Sequence, residues 1–176
     1  MKKKITLFLL LTLSILSACS NNTNEVKDSP LYDGEKLTIG VVGKIPKVRE
    51  QNIVFKNIEL KDLSQKNLAS KYNAVFITKE HLSEAANAPY AKIYKNSGIP
   101  FFFIESKKSF VPFINEDINY KEFPDSAGEY ASGYYQSGDS GQSWGFGLFN
   151  DTVNEVNIED VFSRIFKTIE SVNNQK

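Results

Sequence analysis

Lysine, threonine and glutamate recur where the chain leaves an apolar run: at Gly43-Lys44-Ile45, Thr78-Lys79-Glu80 and Glu105-Ser106-Lys107-Lys108. Ammonium groups beside a hydroxyl donor can hold a small anion, which makes Lys44, Thr78, Lys79, Lys107 and Lys108, with Glu105 among them, one candidate ligand set of six. Lys44, Thr78 and Glu105 could instead serve a small enzyme, although no acid and base stand at a spacing that forces them together. The plain alternative is charged residues solvating loop surfaces. The only histidine, His81, lies at the start of a helical stretch, where a lone histidine is a surface or capping residue. Acidic residues gather at Glu116-Asp117, at Asp125, and at Asp151, Glu155, Glu159 and Asp160. None follows an EF-hand spacing, so calcium stays open on ligand number alone. No catalytic residue, metal-ligand set or cofactor is assigned.

Two near-motifs fail. Gly138-Asp139-Ser140-Gly141 copies the tetrad around the nucleophile of chymotrypsin-like proteases, with His81 and several Asp residues before it. Gln142-Ser143 follows where that family has Gly-Pro, the surroundings of His81 do not match, and the chain is too short for two barrels. A triad is a geometry, and these residue types also suit a hairpin turn. Gly40-Val41-Val42-Gly43-Lys44 has two residues between its glycines where a phosphate loop has four, and Pro46 follows.

A second candidate surface is aromatic. In the stretch 143–149, Trp144, Phe146 and Leu148 share one side at period two, and Tyr130 and Tyr134 alternate similarly on the preceding strand. Such a stripe usually forms core, with Gly145 and Gly147 leaving room for rings such as Tyr135. Otherwise it is a platform for a sugar, a peptide or an envelope protein.

The elements that must position these groups alternate. Apolar runs at Leu37–Val42, Ala74–Ile77 and Pro100–Ile104 read as strands buried on both faces, and 53–60 as a poorer edge strand. Asp62 with Gln65, and Thr78, stand where helix caps belong; Pro89 restarts a helix that carries Ile93 and Tyr94. The clearest helix begins near Asn157 as its cap, with Ile158, Val161, Phe162, Ile165, Phe166, Ile169 and Val172 on one stripe. The stretches 129–136 and 143–149, joined by 137–142, form a hairpin. Together they predict an α/β three-layer sandwich, flavodoxin-like with a mostly parallel sheet, finished by the hairpin and a final helix.

The N-terminus carries the most specific signal. Lys2-Lys3-Lys4 precedes an apolar run, Ile5 to Leu16. Twelve helical residues rise about 18 Å, short of a hydrocarbon core of about 30 Å, so a cleavable export signal is expected. Leu16-Ser17-Ala18-Cys19 resembles the bacterial lipobox, and Cys19 is the only cysteine. That resemblance implies that residues 1–18 are a signal peptide and that the Cys19 thiol takes diacylglycerol, with palmitate-like acyl chains. It places the protein on the outer face of the cell membrane, in the Gram-positive manner. The body resembles small uncharacterised lipoproteins of bacilli, a likeness without a motif that transfers no activity. Ser20-Asn21-Asn22-Thr23-Asn24 and the turn residues up to Gly34 predict a flexible tether over 19–34, with one α/β domain over 35–176.

Length and charge narrow the function. The chain has 176 residues, with 21 Lys+Arg and 21 Asp+Glu. It suits one domain and is too short for two lobes closing on a transported solute. Removing residues 1–18 takes three lysines and no acid, leaving a net charge of −3. That balance offers nothing to nucleic acid and little to anionic lipid, so the acyl anchor is the expected membrane partner. The remaining expectation is a non-enzymatic binding or envelope-interaction module, with an envelope protein or small anion as partner and the oligomeric state open.

Overall fold

The computed structural model describes residues 24–175, so the candidate signal and Cys19 lie outside the described residues. β1 (Leu37–Val42), β3 (Ala74–Ile77) and β4 (Phe101–Ile104) form where β-branched and aromatic residues run together, and are almost wholly buried. β2 (Ile53–Ile58), with Lys56 and Asn57 inside it, is an edge strand. β5 (Ala131–Ser137) and β6 (Ser140–Phe146) make the hairpin. The sheet order is β2-β1-β3-β4-β5-β6. β1 to β4 are parallel, β5 runs antiparallel to β4 with Ala131 opposite Ile104, and β6 returns antiparallel to β5. This is the flavodoxin-like α/β sandwich that the alternation predicts.

Period two divides the core into two layers. Val75, Ile77, Phe101 and Phe103 face a 3₁₀ turn at Leu60–Ser64 and four short helices: α1 (Leu68–Lys71), α2 (Leu82–Ala85), α3 (Ala88–Asn96) and α4 (Val111–Ile114). Ile39, Val41, Phe76 and Phe102 face the opposite way, onto one long helix, α5 (Glu155–Asn173). Phe76 is central there, its ring 6.0 Å from Phe162 and 6.3 Å from Phe166. Each such ring contributes about 2–3 kcal/mol on leaving water. No helix among the described residues is long and apolar enough to cross a membrane.

Several local expectations shift. The cap of α5 is Asn154, whose Oδ1 accepts from Asn157 N at 2.8 Å, and Asn157 itself is buried inside the first turn. At Leu60–Ser64 the cap is Glu59, with Asp62 answering as the third residue of a capping box. The hairpin loop is shorter than predicted, because both strands extend until only Gly138-Asp139 connects them, with Gly138 at φ +55°. Ser140 therefore sits at the end of the sheet opposite His81, which follows β3, and no protease triad can form.

The largest departure is the tether. From Asn24 the chain is a strap running along α5. Val26 N donates to Asn157 Oδ1 at 2.9 Å and Ser29 Oγ to Asp160 Oδ1 at 2.6 Å. Tyr32 is 2% exposed, its ring 5.9 Å from Phe166, and its hydroxyl reaches Glu35 O and Glu170 Oε1. Polar composition predicts a leash when the partners are distant in sequence, and here they lie 131–138 residues away. Beneath the strap, Glu50 is 5% exposed and accepts from Ser163 Oγ and from Tyr32 N, with Arg49 Nε at 3.7 Å.

Candidate functional site

The parallel strands end together, and their following loops form one rim with the first turn of α5. A cleft of about 770 Å³ opens there, lined by Lys44, Ile45, Thr78, Lys79, Glu80, Glu105 and Tyr130, with Ile104, Ile158 and Phe162 as its apolar wall. Ligands of open α/β sheets bind at this end because strand ends leave loops and free backbone groups converging there. Four of the six candidate ligand residues, Lys44, Thr78, Lys79 and Glu105, line this one cleft.

The other two do not. Lys107 lines a neighbouring cleft of about 470 Å³ with Asp125, Glu129, Leu148, Asp151 and Val153; the two clefts share Glu105 and Tyr130. Lys108 lines neither. Its Nζ donates to the Phe123 carbonyl and to Asp125 Oδ1 at 2.9 Å, and lies 5.4 Å from the centre of the Tyr120 ring. It pins two loops together.

Hydrogen bonding limits the proposed anion site. Thr78, 4% exposed, makes no cap bond with its side chain; its hydroxyl donates to Val42 O at 3.1 Å and accepts from Lys44 N at 3.2 Å. Glu80 Oε1 accepts from Lys44 N at 3.0 Å. Hydrogen bonds hold the Glu80 carboxyl below its ordinary value, first from its own backbone N–H and then from Lys44 N. Gly43 makes this close turn feasible: its φ is +106°, and a Cβ there would lie 2.0 Å from Thr78 Oγ1. Lys79 Nζ meets Glu105 Oε2 at 2.7 Å across the strand ends. The partners are 64% and 39% exposed, so water screens the pair, it contributes little stability, and it can open for a ligand. Lys47 pairs with Glu155, while Lys44 and Lys107 make no ion pair among the described residues.

Glu105 itself holds φ +57°, a left-handed conformation that costs a non-glycine residue about 1–2 kcal/mol and is often kept at functional sites. The Tyr130 hydroxyl, between the clefts, is pushed up to about 12, chiefly by burial and then by Glu105. In the smaller cleft, burial raises Glu129, and its Oε2 has no hydrogen-bond partner. Among the described residues no group of three His, Cys, Asp or Glu is placed to hold a metal ion.

The aromatic surface separates. Tyr134 is 4% exposed and stacks on Phe110 in the layer of short helices. Phe146, 5% exposed, and the half-buried Trp144 pack on Phe102 in the α5 layer, so the four residues make no single platform. Cross-strand pairing causes this, because Trp144 faces Gly133 and Tyr134 faces Ser143. Gly133, rather than Gly145 or Gly147, makes the space: a Cβ there would lie 2.8 Å from Phe102 and 3.1 Å from Trp144. Gly145 faces Glu129 and Gly147 the carbonyl of Gly128. Sequence reasoning took Asn157 for a helix cap and missed its role as a tie: its Nδ2 donates to Asn24 O, Thr152 O and Phe149 O. It ties the strap to the rim, and an Asn inside an apolar stripe was its only signal.

Comparison with protein-family models, with curated proteins and with solved structures returns no match for this chain.

Proposed function

We propose that this chain is a lipid-anchored, extracytoplasmic binding module, held at the outer face of the cell membrane through Cys19. Its ligand site is the larger cleft at the strand ends. The observation that carries the site is the cleft itself: an apolar wall below a rim of both charges, the usual composition of a small-molecule or peptide pocket. The anchor rests on the basic cluster, the short apolar run and Leu16-Ser17-Ala18-Cys19. Short peptides and cell-wall sugar fragments carrying both charges are the ligand class that suits the rim. Thermal unfolding of the chain with such a panel should give a saturable rise in Tm that the Lys79→Ala/Glu105→Ala variant loses. A panel that leaves Tm unchanged removes the binding reading. Lys44 in the larger cleft and Lys107 in the smaller, which make no ion pair among the described residues, favour an anion as the second reading. Sulfate or phosphate should then raise Tm in the parent and not in Lys44→Ala/Lys107→Ala.

A further inference from the structure

The strap decides at which end of the body a lipid anchor would leave. β1 begins at the end of the sheet opposite the clefts, and a free linker before Leu37 would emerge there. The strap instead carries the chain along α5, from Glu170 back past Ser163 and Asp160 to the first turn. Asn24 O is held there by Asn154 Nδ2 at 3.0 Å and Asn157 Nδ2 at 2.8 Å. Asn157 bonds the Phe149 and Thr152 carbonyls as well, so the chain leaves the described body at the rim of the clefts. Cys19 is five residues from Asn24, which span at most about 18 Å fully extended.

A second observation points the same way. Among the described residues, four large apolar side chains are exposed, and three of them belong to this rim: Ile45 at 39%, Phe149 at 41% and Val153 at 73%. Ile45 lines the larger cleft and Val153 the smaller, and Phe149 follows Leu148 of the smaller cleft, its carbonyl accepting from Asn157 in the first turn of α5.

We infer that the cleft-bearing end of the sheet rests on the bilayer, with Ile45, Phe149 and Val153 in contact with the headgroup layer. This builds on the anchored reading above and adds an orientation to it. The occupant of the rim is lipid rather than a second protein, because a gap of at most about 18 Å cannot admit a folded domain with a radius of gyration near 13 Å. Any ligand of the larger cleft then reaches it from the membrane surface.

The test uses the full chain, processed in a Gram-positive host and reconstituted in phosphatidylglycerol vesicles whose headgroups carry nitroxide quenchers. A fluorophore is placed on Val153→Cys at the rim or on Asp139→Cys at the exposed hairpin turn, both solvent-facing positions. Mass spectrometry reads the lipid on Cys19 separately. The expected result is loss of most emission at position 153 and almost none at position 139. Equal quenching at both positions, or stronger quenching at 139, on protein carrying the Cys19 lipid overturns the orientation and leaves the anchor standing. An unmodified Cys19 overturns the anchor and the orientation with it.

Discussion

Glu129 holds an oxygen that is out of water and has no hydrogen-bond partner, beside the smaller cleft. Burial raises this carboxyl above its ordinary 4.5, so the folded protein keeps the proton more tightly than the unfolded chain. Its contribution to stability is therefore intact below pH 4.5 and declines as pH rises from there through the raised value. Glu129→Gln should be more stable than the parent at pH 7 and no more stable at pH 3, by urea unfolding at both. A larger gain at the acid end would contradict that sign. At this scale the cleft was half legible. Lys44, Thr78, Lys79 and Glu105 follow directly from reading strand ends off apolar runs. Asn154, Ile158 and Phe162 reach the same cleft from a helix and its cap about fifty residues further on, and nothing local in the chain announces that meeting. Lys107 and Lys108 look equivalent in sequence, yet the turn bonded by Ser106 Oγ to the Lys108 amide and carbonyl sends them to different places.

The strap is an element without regular secondary structure, fastened by one aromatic ring and a line of side-chain hydrogen bonds. Tyr32→Ala should destabilise the protein by about 3–5 kcal/mol and open a protease-sensitive site between residues 24 and 35, while Tyr32→Phe keeps most of the packing. Chemical denaturation with timed proteolysis checks both. Regular elements were far more legible. β1 and β3 occupy the predicted runs and α5 buries the predicted stripe, because period and composition act over neighbouring residues. The hairpin was found, but its loop was read too long: Ser140, Gly141 and Gln142 are turn-like residues that nonetheless pair as a strand against 135–137. The strap was misread because Asn, Ser, Asp and Pro are loop formers in isolation. Asn154, Asn157, Asp160 and Glu170, late in the chain, together with Arg49, Glu50 and Asn52, convert their polarity into fixed contacts.

For the whole molecule, one helix covers one full face of the sheet, and the same helix secures the chain's beginning. A chain ending at Asn154 should lack a cooperative thermal transition and bind a hydrophobic dye, since Phe76 and Phe102 would face water. A well-defined Tm for that truncation would show that the remaining layers fold alone. The helix also follows all six strands of the sheet along the chain. Its contacts with the strap span more than 130 residues and reach as far as Glu170, so the strap cannot be fastened before that residue is made. Export of the kind proposed above would then act on a chain whose strap and helix have not yet met. The order of the elements along the polypeptide thus sets a timetable, in which fastening the strap waits for the helix.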